Sequence, residues 1–324
     1  MNLPGQTRER ENQLMSTLEE MLAGRPHLAK LTHLVTEAWP EHADYLEKSF
    51  DVRTPALLDT SDSVAEVVLR LAGDHAGQTA QDYRWLCDVI REEELNFART
   101  DAYRYSTFAE TNAHVYSDDE FMQRYMHGLL LSHVLWYMHA SSLHFFLGRL
   151  AARVKPGGKM MEVGSGHGLL IYLALTRLGL EEAVAWDISP VSLDQTRAAL
   201  DQLGMGERAR YAIQDMHQIE AGSEQFDLII LSHLLEHLEA PVDALQKIRH
   251  AVAKGGYLFV NVPLNAPMPD HIQLLSDPDD AVKMLEDGGF RVLEIASHTT
   301  QAASLPRALK RKIAVTCSII AEPR

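Results

Sequence analysis

Short apolar runs alternate with longer helix-like stretches through the second half of the chain, and this alternation constrains the fold more than any other feature. It begins after the turn-forming sequence Lys155-Pro156-Gly157-Gly158. The seven runs are Lys159–Val163, Glu182–Trp186, Ala209–Ile213, Phe226–Leu231, Tyr257–Val262, Phe290–Ala296 and Ile313–Ile320. Runs of this length separated by helices are typical of a parallel sheet built from βαβ units, and the last two runs favour a hairpin. We therefore predict an α/β fold with a seven-stranded doubly wound sheet over residues 151–324.

The first part of the chain, residues 1–150, shows apolar residues at helical spacing instead. Leu14 and Leu18 begin one such set, and residues 64–71 contain another. From Met126 to Leu147 there is no Asp, Glu, Lys or Arg. The four histidines in that stretch would be costly in lipid, so a buried helix is predicted rather than a membrane span. We predict an N-terminal all-helical domain over residues 1–150 that acts as a lid and recognises the substrate.

The first predicted strand runs into a glycine turn, Glu162-Val163-Gly164-Ser165-Gly166-His167-Gly168, before a helix begins near Leu169. Ligands of open α/β sheets bind at the carboxyl ends of strands, where glycine lets the backbone turn sharply and approach the ligand. A dinucleotide site would place its third glycine three residues after the second, whereas Gly168 follows Gly166 by two. This spacing disfavours an NAD(P)-dependent oxidoreductase, which we keep as an alternative.

Acidic residues follow the next two predicted strands. Asp187 ends the second, 25 residues after Glu162, where a carboxylate can accept both hydrogen bonds of a ribose diol. Asp215 follows the third, where a carboxylate can accept a hydrogen bond from an adenine amino group with Met216 beside the ring. All three acids would face one crevice, because the carboxyl ends of parallel strands meet at one edge.

This ordered set, together with the Leu-Glu-His of the Phe226–Leu238 segment, resembles the class I S-adenosylmethionine-dependent methyltransferases, in their small-molecule branch. The resemblance covers about residues 155–264. It implies a Rossmann-like sheet and S-adenosyl-L-methionine as the cofactor. The residues expected to contact that cofactor are Glu162, Gly164, Ser165, Gly166, Asp187, Ile188, Asp215, Met216, Ser232 and His233, with Tyr116 placed over its methionine end by the helical lid.

Several polar side chains near the predicted strand ends could take a proton from a methyl acceptor. His233, Glu236 and His237 follow the fourth strand, and Asp270 and His271 lie in a proline-stiffened loop after the fifth. We expect His233, His237 or His271 to act as base with Asp270 or Glu236 orienting it. The alternatives are a structural helix start and a rigid connector. His233 and His237 also have the spacing of two metal ligands on a helix, but a third ligand is missing nearby in sequence, so no metal is predicted.

The charge balance narrows the class of partner. The net charge of −15 and the lack of a basic stretch disfavour nucleic acid and an anionic membrane surface. The sequence thus predicts methylation of an N or O atom of a neutral or cationic small molecule, in specialised metabolite biosynthesis. The protein could also form a homodimer. A non-catalytic scaffold with the same fold is kept as an alternative function. Two distant cysteines and an N-terminus without an apolar signal core predict a cytoplasmic location.

Overall fold

The computed structural model describes residues 17–324. Leu14 and the N-terminal segment from which location was predicted lie outside the described residues. Every regular element within residues 17–150 is helical, as predicted. After the helical residues 17–21, the helices are α1 (Pro26–Ala38), α2 (Ala43–Asp51), α3 (Pro55–Ala72), α4 (Ala76–Thr100), α5 (Phe108–Thr111), α6 (Asp119–Leu135) and α7 (Tyr137–Leu150). A π-helical turn at Asn112–Tyr116 follows α5.

The uncharged stretch from Met126 to Leu147 is divided between two helices rather than forming one. Trp136 separates α6 from α7 with an extended backbone, φ −85° and ψ 129°. Its indole N–H donates to the Tyr83 hydroxyl at 2.8 Å, which fixes the break against α4. Of the helices that the structure describes, none has the length and apolar character to cross a membrane.

The sheet contains the seven predicted strands. In chain order the elements are β1 (Lys159–Val163), α8 (Leu169–Arg177), β2 (Glu182–Asp187), α9 (Pro190–Gln202), β3 (Ala209–Ile213), β4 (Phe226–Ser232), α10 (Pro241–Ile248), β5 (Val252–Leu264), α11 (Pro278–Asp287), β6 (Phe290–Thr299), α12 (Leu305–Lys310) and β7 (Val315–Pro323). The spatial order is β3-β2-β1-β4-β5-β7-β6. β1 to β5 pair in parallel, and β7 pairs antiparallel with both β5 and β6. The predicted α/β class and the terminal hairpin are confirmed.

The strand order reverses at β1, which has β2 on one side and β4 on the other. Ligands of such sheets bind where the order reverses, because the connections leave β1 and β4 toward opposite faces and open a crevice between them. The glycine turn begins directly after Val163 and therefore lies at the mouth of this crevice.

The last helix of the N-terminal half packs directly on the sheet. The Phe146 ring of α7 lies 4.9 Å, centroid to centroid, from that of Phe259 in β5. The hydroxyls of Ser142 in α7 and Ser318 in β7 each lie 2.8 Å from Asn261 Oδ1 in β5. This buried polar network joins the two halves of the chain. The division into domains at residue 150 stays a prediction.

We predict that Asn261→Ala lowers the free energy of unfolding by about 2 kcal/mol, because it removes the amide that bonds the buried hydroxyls of Ser142 and Ser318 and leaves them only each other. Urea unfolding followed by circular dichroism measures the loss. Asn96→Ala in α4 is the matched control, with an expected change within about 0.5 kcal/mol because its side chain is partly exposed. Equal stabilities for the two variants would contradict a structural role for the network.

Candidate functional site

A cavity of about 1320 Å³ lies between the carboxyl ends of the parallel strands and the helices of the N-terminal half. Its lining includes the glycine turn after β1 and residues that follow β2, β3, β4 and β5. Side chains from α4, α6 and α7 cover it on the opposite side. The sheet topology and the helical cover thus bring almost every predicted site residue to one cavity.

The glycine turn presents backbone rather than side chains to the cavity. Gly164 and Gly166 have φ values of +73° and +48°, which L side chains rarely adopt. A Cβ at Gly164 would lie 3.2 Å from Leu234 Cδ1. The hydroxyl of Ser165 is buried and lies 2.8 Å from Thr196 Oγ1 in α9. A Cβ at Gly166 would lie 2.6 Å from Met126 Cε, so neither glycine has room for a side chain, and a ligand that contacts this main chain must share the space with Leu234 and Met126.

Glu162 supplies a buried carboxyl group beneath that turn. Its side chain is buried, and Oε2 has no hydrogen-bond partner in the part of the chain that the structure describes. Burial raises the pKa of Glu162 well above its usual value. A cationic group next to Oε2 would stabilise the carboxylate and supply the missing partner.

Asp187 lies at the end of β2 and opens α9. Its Oδ1 accepts from the backbone N–H of Ser189 at 2.9 Å, and its Oδ2 accepts from the Ser192 hydroxyl at 2.6 Å. Burial raises the pKa of Asp187, although these hydrogen bonds oppose the shift. Ile188 is 54% exposed and lines the cavity beside it. Both oxygens keep lone pairs that can accept further bonds from a diol.

Asp215 lies after β3 and is held by a residue that sequence reasoning missed. His217 donates to its Oδ1 from the backbone N–H at 2.9 Å, and the His217 ring Nδ1 lies 2.8 Å from the same oxygen. Burial alone would raise the pKa of Asp215, but the bonds from His217 lower it overall. Met216 is buried and lines the cavity.

This side of the cavity fits the cofactor that the resemblance implies. The unpaired Glu162 oxygen suits the positively charged amino group of the cofactor, and the positive φ of Gly164 and Gly166 gives the turn that would hold its methionine part. Asp187 can accept bonds from a ribose, and Asp215 lies further along at the end of the neighbouring strand. The groups occur in the order in which an extended adenosyl ligand would meet them.

A second part of the cavity wall is organised by Asp270, which is buried in the loop after β5. Tyr125 of α6 donates to its Oδ1 at 2.8 Å, and Tyr116 donates to its Oδ2 at 3.3 Å. Burial, followed by the charge of Asp270, raises the pKa of both tyrosines well above the usual value. Tyr116 thus lies beside the candidate proton-transfer groups, and its contact with the cofactor stays a prediction.

His233 and Glu236 form a pair after β4. The positive φ of His233, +52°, turns the chain so that its Nδ1 lies 3.2 Å from Glu236 Oε1. Burial alone would raise the pKa of Glu236, but the bond from His233 and the nearby His237 lower it overall. Ser232, just before this pair, accepts a 2.9 Å bond from Asn261 Nδ2 and lines the cavity.

His237 and His271 lie side by side, with ring centroids 5.1 Å apart. Burial alone would lower the pKa of His237, but the carboxylates of Asp270 and Glu236 raise it above its usual value. Burial lowers the pKa of His271 to about 4, with Glu236 opposing the shift. The fold therefore brings together all five residues predicted to act in catalysis.

Two histidines that sequence reasoning did not assign also line the cavity. His133 of α6 and His167 of the glycine turn have their Nε2 atoms 3.0 Å apart, so one of the two rings donates to the other. Burial lowers the pKa of both, that of His167 to about 4. His133 lies in the uncharged stretch from Met126 to Leu147, and no sequence feature there indicates whether a residue lines a cavity or lies in the protein core.

Comparison with curated proteins finds relatives that carry out methyl transfer. The ubiquinone/menaquinone biosynthesis C-methyltransferase of Cereibacter sphaeroides is 26% identical over 106 residues, which is 33% of this chain and 42% of that protein. The ribosomal protein L11 methyltransferase of Geobacter sp. is 32% identical over 109 residues, which is 32% of this chain and 33% of that protein. The chain thus spans less than half of the length of these relatives.

The fold is shared with solved structures over a larger part of the chain. The mitomycin 7-O-methyltransferase aligns with a TM-score of 0.50 and 15% identity, over 83% of this chain and 74% of that one. The model of the family described as "Methyltransferase domain" matches residues 122–311, more than half of the chain. The chain belongs to this methyltransferase-domain family, and its resemblance to the class I S-adenosylmethionine-dependent methyltransferases is confirmed.

Proposed function

We propose that this protein transfers a methyl group from S-adenosylmethionine to an N or O atom of a neutral or cationic small molecule. The proposal rests on one cavity whose lining combines residues that can hold the cofactor with residues that can accept a proton. Cytoplasmic location, a role in specialised metabolite biosynthesis and homodimer formation belong to the same proposal. They rest on composition and on the resemblance.

The helical cover over the cavity favours a small acceptor over a macromolecule. Tyr116 and Tyr125 are bonded to Asp270, so the helices lie closed over the strand ends. A protein acceptor, such as the one named for the ribosomal protein L11 methyltransferase, would have to reach beneath this cover. The mitomycin 7-O-methyltransferase is named for a small molecule, and the ubiquinone/menaquinone C-methyltransferase for the biosynthesis of small molecules.

The cofactor supplies an electrophilic methyl group on a positively charged sulfur. The chain's own contribution is to hold the reactants in line and keep water out. In the proposal, Gly164 and Gly166 bind through their backbone, and Glu162 accepts from the ligand's amino group. Asp187 accepts from the ribose and Asp215 from the adenine.

An N–H or O–H acceptor must also lose a proton, and His233 is the best placed of the three predicted bases. Its Nδ1 lies against Glu236 Oε1, so the ring can donate there and keep a lone pair on Nε2. With a side-chain exposure of 26%, it is more open to the cavity than His237 or His271, at 15% and 5%. Glu236 is then the orienting residue.

We predict that Asp187→Asn weakens binding of S-adenosylhomocysteine by about 10-fold to 100-fold, because an amide accepts at only one atom where the carboxylate accepts at two. Isothermal titration calorimetry measures the affinity. Asp194→Asn is the matched control, since Asp194 lies exposed on α9, the helix that follows Asp187 in the chain. Unchanged affinity in Asp187→Asn would refute the ribose contact.

For turnover, we predict that purified protein forms S-adenosylhomocysteine with at least one member of a panel of small phenols, catechols and amines. His233→Asn is expected to reduce kcat by about 100-fold while cofactor affinity is kept, because the amide can still donate to Glu236 but cannot take a proton. His114→Asn, at an exposed position, serves as the control. Product formed only with protein acceptors would contradict the small-molecule proposal, and full turnover in His233→Asn would exclude this base.

A further inference from the structure

Glu236, His237 and His271 place three metal-ligand atoms together on the Asp270 side of the cavity. One ligand atom from each side chain lies within 4.8 Å of the other two. The side chains of Glu236 and His271 are shielded, with exposures of 0% and 5%. His271 reaches the cluster from the loop after β5, so the third ligand that the sequence lacked near His237 is supplied by the fold.

The two imidazoles are oriented as they would be for metal binding. Nδ1 of His237 lies 2.9 Å from the carbonyl oxygen of Asp270, and Nδ1 of His271 lies 2.7 Å from that of Ala266. A carbonyl oxygen only accepts, so each Nδ1 carries a hydrogen, and Nε2 is the nitrogen whose lone pair is available to a metal once the ring is neutral. Metal-binding histidines typically make this second contact, because it fixes the tautomer and the ring orientation.

The carboxylate supplies an independent indication. Glu236 is 1% exposed, and its Oε2 has no hydrogen-bond partner among residues 17–324. A buried oxygen without a partner is costly, and a bound cation would remove that cost. Asp270 adds a second buried acid next to the cluster. Within the described part of the chain, neither acid forms an ion pair with Lys or Arg.

We propose that Glu236, His237 and His271 bind a first-row divalent transition-metal ion, with Zn²⁺ or Fe²⁺ fitting the ligands best. Two imidazoles and one carboxylate are a known set for these ions in sites that keep positions open for substrate. Mg²⁺ and Ca²⁺ prefer oxygen ligands. Bonds of about 2.1 Å require ligand atoms roughly 3.4 Å apart, a separation that small side-chain rotations can reach.

The open positions of such an ion would face the acceptor. His237 and His271 line the cavity, so an acceptor hydroxyl could bind the metal there and lose its proton to His233 more readily. This consequence rests on the proposed methyl transfer, whereas metal binding itself does not. The acceptor class that follows is a phenol, catechol or enol, with an oxygen that can bind the ion.

The test is a metal titration of tag-free, full-length protein after dialysis against a chelator. CoCl₂ additions are followed by visible absorption and ZnSO₄ additions by calorimetry. We expect one ion per chain, a rise in Tm with Zn²⁺ because only the folded state binds, and at least about 10-fold weaker binding in Glu236→Gln and in His271→Gln. His114→Gln controls for binding by exposed histidines and should match the wild type.

Absence of stoichiometric binding, or wild-type affinity in both Glu236→Gln and His271→Gln, would overturn the inference. If circular dichroism shows that a variant does not fold, the wild type is loaded with Cu²⁺ and measured by pulsed electron paramagnetic resonance. Two imidazoles bound to the ion are expected, and one or none would overturn the site.

S-adenosylhomocysteine is titrated into the same preparations. Cofactor binding without metal binding would refute the metal site alone, and metal binding without cofactor binding would refute the proposed function alone.

Discussion

The parallel pairing of β1 with both β2 and β4 is the constraint on which the rest of the site depends. It sends the carboxyl ends of five strands to one edge and opens a crevice where the strand order reverses. Glu162, Asp187 and Asp215 reach this edge at or after the ends of β1, β2 and β3, although they are far apart in sequence. Without this pairing, the same residues would be scattered surface acids.

The second requirement is a cover, and Asp270 is the residue that fixes it. Tyr116 and Tyr125 donate to its two oxygens, so one buried carboxylate ties the helical half to the loop after β5. A buried carboxylate is tolerated because it is hydrogen-bonded, and here its partners come from the opposite side of the cavity. The bonds that stabilise Asp270 therefore also hold the helical cover over the site.

Much of the sheet could be predicted from the sequence, because β1 and β2 are largely buried and read as apolar runs between turn signals. Features that depend on contacts between residues far apart in sequence could not be predicted in this way. β5 begins at Val252 rather than Tyr257, because an irregularity in its pairing with β4 adds residues before the regular ladder. The break at Trp136 depends on a bond to Tyr83, a partner far away in sequence. The approach of His271 to Glu236 depends likewise on how the loop after β5 folds back.

Hydrogen–deuterium exchange with and without S-adenosylhomocysteine can establish whether one adenosyl ligand bridges the ends of β1, β2 and β3. We expect the ligand to slow exchange in three separate peptides, covering residues 162–168, 187–192 and 214–217, with little change at the far ends of the same strands. Unchanged exchange in these peptides at saturating ligand, or protection confined to another surface, would contradict it.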